Sequence, residues 1–417
     1  MLKATLFSVS SLSFVTKLTS ARPPLMPKTR RFPKLPQRFA LLGVLLAAGC
    51  LSSAVGSIVA PVFPELVDQL GFDPEWSGLL VSTHTLTTAL ATPLLGLLAG
   101  RIGKLRVLVL SLVGYALFGI SGAFANSYGM MMLSRGLVGA SSGGIAAVSI
   151  GILSDLYDGE ARSQMMGYVT SALATATVIF PVLGGWVGNV RWQYAFYLYV
   201  IGLPVALAAF LVVRRQPESA SPAVDLSQAD GIGQYLRQSR IQVLLLGLAL
   251  TSALFYVVVV YAPIYLKTEI GASPIVNGGV LAARAIGAAV VSAWGASQLA
   301  KRIGANAAIA VGFLLMAGSL TLIPNLQEPP IIVLAALPFG IGFGFVMPNL
   351  YSAIADLTPQ AQRTGMLAIG TGISSFGQFV SPAVFGPLWR NIGADVFYVA
   401  AGLALVISLL SLSRRSI

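Results

Sequence analysis

The sequence predicts an all-α integral membrane protein with twelve transmembrane helices, arranged as two six-helix bundles related by a pseudo-twofold axis. Three observations predict it. First, 56% of the 417 residues are hydrophobic and only 10% are charged, whereas a soluble domain is about one quarter charged. Second, charged loops and turns divide the chain into twelve apolar runs, each long enough for the ~20 residues that cross a bilayer as a helix. Third, the chain repeats itself 201 positions further on. Leu98, Ala99, Arg101, Ile102 and Gly103 are met by Leu299, Ala300, Arg302, Ile303 and Gly304, and Gly139 and Gly143 by Gly340 and Gly344. Asp155, Leu156, Arg162 and Met165 are met by Asp356, Leu357, Arg363 and Met366, and Pro181, Gly185, Phe196 and Tyr197 by Pro382, Gly386, Phe397 and Tyr398. A repeat unit of this length is two homologous halves, not a solenoid.

Taken in order, residues 1–38 carry eight Lys or Arg and no acid. They read as a basic tail, although a composition rich in Ser, Thr and Pro also resembles a transit segment over residues 1–25. The apolar runs then cover 39–60, 77–98, 107–125, 129–153, 164–188 and 193–213, and after an interval 241–266, 276–299, 305–324, 331–354, 366–389 and 396–413. The interval 214–240 contains RRQPESASPAVDLSQADG, polar and rich in Pro and Ser, and reads as a linker. The expected organisation is therefore a tail (1–38), a first bundle (39–213), the linker (214–240), a second bundle (241–413) and a short C-terminal tail (414–417). Loops on the side of the tails hold thirteen Lys or Arg, and those on the other side hold Arg191, Lys267 and Arg390 alone. Cytoplasmic loops carry the excess of Lys and Arg, so both termini are expected in the cytoplasm. A bacterial cytoplasmic membrane is the expected location, or an organelle envelope if residues 1–25 are a transit segment.

Composition also excludes classes of function. Cys50 is the single cysteine, so the chain can form neither an internal disulfide nor a cysteine-based metal site. The net charge of +12 is spread over membrane-flanking loops, which argues against nucleic acid. One histidine without a deep carboxylate cannot supply the clusters of an intramembrane hydrolase or metalloenzyme. No G-x-x-x-x-G-K-[ST] segment is present to bind a nucleotide. No catalytic residue, metal or cofactor is expected.

The informative residues are the charges inside the spans. All fourteen acids lie in loops or at span ends, and of the bases only Arg135 and Arg284 lie within spans, joined by His84. An ionisable group in the hydrocarbon is expensive and marks function by default. At 1.5 Å per residue the three lie roughly 10 Å inside their spans. The repeat offset sets His84 opposite Ala285, beside Arg284, so an electropositive cavity is expected, suited to anionic, zwitterionic or neutral cargo. Tyr256, Asn349 and Gln378 are expected to supply sparse polar points on its wall. His84 titrates nearest neutral pH. Asp155 and Asp356, at the inner ends of repeat-related spans, are expected to form gate contacts with Arg101, Arg162, Arg302 or Arg363. Gly96 and Gly103 permit a tight turn between spans two and three. Pro181 and Pro382 put matching kinks into spans five and eleven.

Over residues 39–413 the chain resembles the major facilitator superfamily. The family signature G-x-L-A-D-R-x-G-R-K is approached by Gly96, Leu98, Ala99, Gly100, Arg101, Gly103, Lys104 and Arg106, with Gly100 at the acidic position that in the family helps lock a closed conformation. R-x-x-Q-G of the drug:proton antiporters is approached by Arg135 and Gly139, with Val138 in place of Gln. G-P-x-x-G-G is approached by Pro181, Gly184 and Gly185, with Phe180 in place of the first Gly. The resemblance implies a monomeric secondary transporter that moves a small-molecule substrate by alternating access, namely proton-linked efflux of amphipathic compounds or drugs. The alternative is a facilitator or exchanger for organic anions or sugars that is not proton-coupled.

Overall fold

The chain is described by a computed structural model over residues 35–72, 74–156, 159–213 and 232–413. The expected basic tail up to residue 34, the linker from 214 to 231 and the last four residues lie outside the described residues.

In hydrocarbon every backbone group must find its partner within the protein, and a helix does this within one segment. The apolar runs accordingly form helices that extend past their apolar cores. Span one is α1 (Leu35–Val59), a 3-10 turn (Ala60–Val62) and α2 (Phe63–Leu70). Spans two to five are α3 (Pro74–Ile102), α4 (Lys104–Ser121), α5 (Tyr128–Leu156) and α6 (Gly159–Gly188). Span six is α7 (Gln193–Tyr197), a 3-10 stretch and α8 (Gly202–Val213). A short α9 (Ile232–Leu236) precedes span seven, α10 (Ser239–Ile270). Span eight is α11 (Pro274–Val290), a π-helical turn (Val291–Gly295) and α12 (Ala296–Ile303). Spans nine to twelve are α13 (Ala305–Leu322), α14 (Pro329–Asp356), α15 (Gln360–Ile392) and α16 (Val396–Ser413). The apolar stretch Gln362–Ser413 runs for 52 residues, far more than one crossing needs. It divides at Gly393, whose φ of +56° ends α15, and so supplies two spans. Among the described residues there is no strand.

Packing repeats between the halves. Spans two and four, three and four, and three and six pack together, and so do eight and ten, nine and ten, and nine and twelve. The halves meet where span two lies against span eleven and span five against span eight, pairs that a pseudo-twofold axis exchanges. The turns repeat as well. Gly103 (φ +100°) and Gly304 (φ +88°) each join two helices, each amide donating to the carbonyl four residues earlier, Ala99 at 3.1 Å and Ala300 at 2.9 Å. Gly71 and Gly271, with φ of +62° and +70°, end spans one and seven.

This last pair is offset by 200 positions, not 201, and so are Pro74 and Pro274, which open α3 and α11. A Cβ on Gly139 of α5 would stand 2.5 Å from the His84 carbonyl oxygen, and one on Gly340 of α14 would overlap that of Arg284. Gly143 and Gly344 approach the carbonyl oxygens of Thr88 and Ala288 in the same way, each at 2.8 Å from an ideal Cβ. The register changes at Val291–Gly295: a turn closed from i to i+5 holds one residue more than an α-turn. The expected match of His84 with Ala285 is thereby corrected, because the structural equivalent of His84 is Arg284 itself.

Candidate functional site

The side carrying the turns at Gly103 and Gly304 is here called the tail side; the side carrying Lys267 is the far side. Among the described residues, contacts joining the halves gather toward the far side. Asn277 donates through Nδ2 to the Pro61 carbonyl at 3.0 Å, Ser82 to Phe379 at 3.4 Å and Thr85 to Ser375 at 3.2 Å. The matched prolines sit in the two seams: a Cβ on Gly278 would stand 2.5 Å from the Pro181 carbonyl oxygen, and one on Gly78 2.7 Å from Pro382 Cβ. Glu65 of α2 and Lys267 of α10 close the far rim, with Nζ 3.3 Å from Oε1 and the carboxylate largely enclosed (side chains 13% and 40% exposed). A partly shielded pair of this kind contributes about 1 kcal/mol, so Glu65→Gln should shift the balance of far-closed and far-open states about fivefold toward open. Spin labels at Asp68→Cys and Glu269→Cys, on a Cys50→Ser background, read the separation of the rims; an unaltered distance distribution would remove the pair from the gate.

Arg135, His84 and Arg284 are all buried, at 2%, 9% and 8% exposed, but in different company. Arg135 lies inside the first half. Its Nη1 donates to Tyr199 Oη at 3.0 Å, and Tyr199 in turn donates to the Val55 carbonyl at 2.5 Å. Its Cζ lies 4.7 Å from the Phe196 ring and 5.2 Å from the Tyr199 ring, so aromatic faces stand where a counter-ion would. His84 donates through Nδ1 to the Val81 carbonyl, 2.5 Å away. Its Cε1 and Nε2 press against Gly56, 2.6 and 2.8 Å from where a Cβ would stand, and Tyr256 Oη is 3.6 Å from the same point. His84 and Tyr256, from opposite halves, thus meet over a glycine. Arg284 lies in the second half with Cζ 3.7 Å from the centroid of Phe255, and Phe255 is 4.7 Å from Phe343.

The remaining expected residues are more scattered. Asn349 is buried, its Nδ2 donating to the Phe345 carbonyl at 2.7 Å, and Gln378 is half-buried. At the tail side Gly96 is half-buried, while Arg101, Arg302, Asp356 and Arg363 are exposed. Arg363 Nε donates to the Ala355 carbonyl at 2.9 Å, capping α14 without pairing with Asp356. The side chains of Asp155 and Arg162 lie outside the described residues. Sequence reading passed over Gly56, Tyr199, the Glu65–Lys267 pair, and Gly78 with Gly278. The last two are identical at offset 200, so aligning the halves with one gap would have exposed them.

A duplicated bundle whose halves touch through glycine seams, with ionisable groups buried inside the spans, defines a membrane transporter and not an enzyme. Residues 45–382 match the Major Facilitator Superfamily, and the chain belongs to that family. Two relatives are the multidrug transporter protein MdtP of Bacillus subtilis (strain 168), 24% identical over 383 residues with 78% of this chain and 70% of the relative covered, and the quinolone resistance protein NorA of Staphylococcus aureus (strain COL), 22% identical over 357 residues with 84% and 89% covered. The fold also matches a crystal structure of a mutant of the nucleoside transporter NupG, with a TM-score of 0.73 at 14% identity over 89% of this chain and 99% of that one.

Proposed function

We propose that this chain exports small amphipathic compounds by alternating access, driven by protons moving the other way. The observation that carries the reading is the far-side seam. Among the described residues it is built from glycines, a few hydrogen bonds and one ion pair, so the halves can part there without unpacking either bundle. That the relatives MdtP and NorA are named for multidrug transport and quinolone resistance supports compounds of that kind as cargo. Residues 39–213 and 241–413 are the two moving bodies, joined by the linker 214–240, with tails at 1–38 and 414–417. The charge balance of the loops supports cytoplasmic tails, and the bacterial relatives support a bacterial cytoplasmic membrane. The protein works as a monomer. His84 carries the coupling proton, sitting where the halves meet beside Tyr256, and Asp155, Asp356 and the arginines around them act when the tail side closes.

Purified protein in liposomes tests the reading. An imposed pH gradient should drive accumulation of a fluorescent amphipathic substrate, and His84→Gln should abolish the response to the gradient while leaving exchange of labelled for unlabelled substrate intact. Flux indifferent to the gradient would favour the second reading, a facilitator or exchanger for organic anions or sugars. One observation speaks for that reading: the deep fixed charges, Arg135 and Arg284, are both positive, and every acid lies at a span end or in a loop.

A further inference from the structure

We infer that Arg284, with Phe255 and Phe343, forms a subsite for substrates that carry a single carboxylate on a planar aromatic ring. This deepens the transporter reading and rests on it, naming the class of cargo. The two deep arginines differ in what they lack. Arg135 has one hydroxyl acceptor, Tyr199, and lies over two rings within its own half, its Nε and Nη2 being buried without a partner. Arg284 makes no hydrogen bond to any described group, and its Nε and Nη1 are buried without a partner. The acids with described side chains, Glu65, Asp68, Glu269, Glu328, Asp356 and Asp395, stand at or beyond helix ends, and none pairs with it.

A guanidinium stripped of water and left without an anion is costly, and the cost is relieved when an anion arrives. One carboxylate neutralises it and accepts charge-assisted hydrogen bonds from the planar N–H donors. A neutral ligand leaves the charge standing. A cation adds to it. The Phe255 contact at 3.7 Å holds the guanidinium against an aromatic face, and the Phe255–Phe343 pair, both half-buried, offers ring surface next to the anion position. An aromatic ring attached to the carboxylate would stack there. The pseudo-twofold equivalent in the first half is His84, which lacks a fixed charge, so the anion site is one-sided.

The test uses the full chain in detergent and probes sharing one ring: naphthoate, naphthylmethanol and naphthylmethylammonium, with acetate and chloride alongside. Equilibrium binding should rank naphthoate about tenfold or more tighter than the alcohol, with the ammonium weakest and acetate weaker than naphthoate. Arg284→Gln should bring naphthoate down to the level of the alcohol, and Phe343→Leu should weaken naphthoate while sparing acetate. The proposal is overturned if the alcohol binds as tightly as the carboxylate, if Arg284→Gln keeps the preference, or if acetate or chloride saturates the site at the concentration naphthoate needs. Should Arg284→Gln yield no folded protein, the ranking of probes on the native chain decides alone. Binding is measured without a gradient, so failure of proton-driven export leaves this result standing, and a failed ranking leaves the export assay untouched.

Discussion

Replacing Gly340 with alanine is expected to cost most of the folded protein, the largest effect of a methyl group at any described glycine. The added Cβ would overlap the Arg284 carbonyl oxygen and stand 2.8 Å from its carbon and 3.0 Å from the Ala288 nitrogen. All three are backbone atoms, so no rotamer relieves the clash and α14 must retreat from α11. Close-packed interiors do not absorb such a shift. Overpacking ordinarily costs 1–3 kcal/mol, and a loss of about 3 kcal/mol or more is expected where the obstacle is a helix backbone. Gly139→Ala should fall in the same direction, against the His84 carbonyl. Gly318, also on a membrane helix, has nothing within 4 Å of its Cβ position, and Gly318→Ala serves as the tolerated control. Thermal unfolding in detergent reads the difference. Equal midpoints for Gly340→Ala and Gly318→Ala would mean that the seam between spans eight and ten is not packed as described.

The second large effect falls on mechanism, not stability. Gly278→Val places a side chain in the seam between spans five and eight, where even a Cβ would lie 2.5 Å from the Pro181 carbonyl oxygen. Gly185→Val does the same from the facing helix, against the Pro274 carbonyl. These contacts run between the halves, so each bundle can keep its packing while far-side closure is penalised. A penalty of about 3 kcal/mol corresponds to a shift of roughly 150-fold between two conformations. Both variants should therefore fold, sit with the far side open and transport at least tenfold more slowly. Labels at Asp68→Cys and Glu269→Cys should report widened rims. Normal flux with an unwidened distance would show that closure does not run through this seam.

Several of these positions were legible in the sequence. The spans could be read because transferring an apolar side chain into lipid is a property of each residue summed over a window. The duplication could be read from Gly103 and Gly304, since each must adopt a positive φ that other residues avoid. The deep arginines stood out because charges are rare in hydrocarbon. Their roles did not stand out. Nothing near Arg135 in the chain announces Tyr199 or Phe196, 61 to 64 positions away, and nothing near Glu65 announces Lys267.

The sequence by itself determined twelve helical passages, the duplication of six into twelve and the uneven charge of the loops, because composition and identity at a fixed spacing suffice for each. Only the tertiary structure decided that a π-turn moves span eight by one residue, so that Arg284 takes the place of His84. It also decided that Arg135 finds one hydroxyl acceptor in Tyr199 while Arg284 finds none among the described residues. Both depend on which groups lie against which across roughly 30 to 65 positions of chain, and close packing, which fixes those pairings, leaves no periodic trace along the sequence.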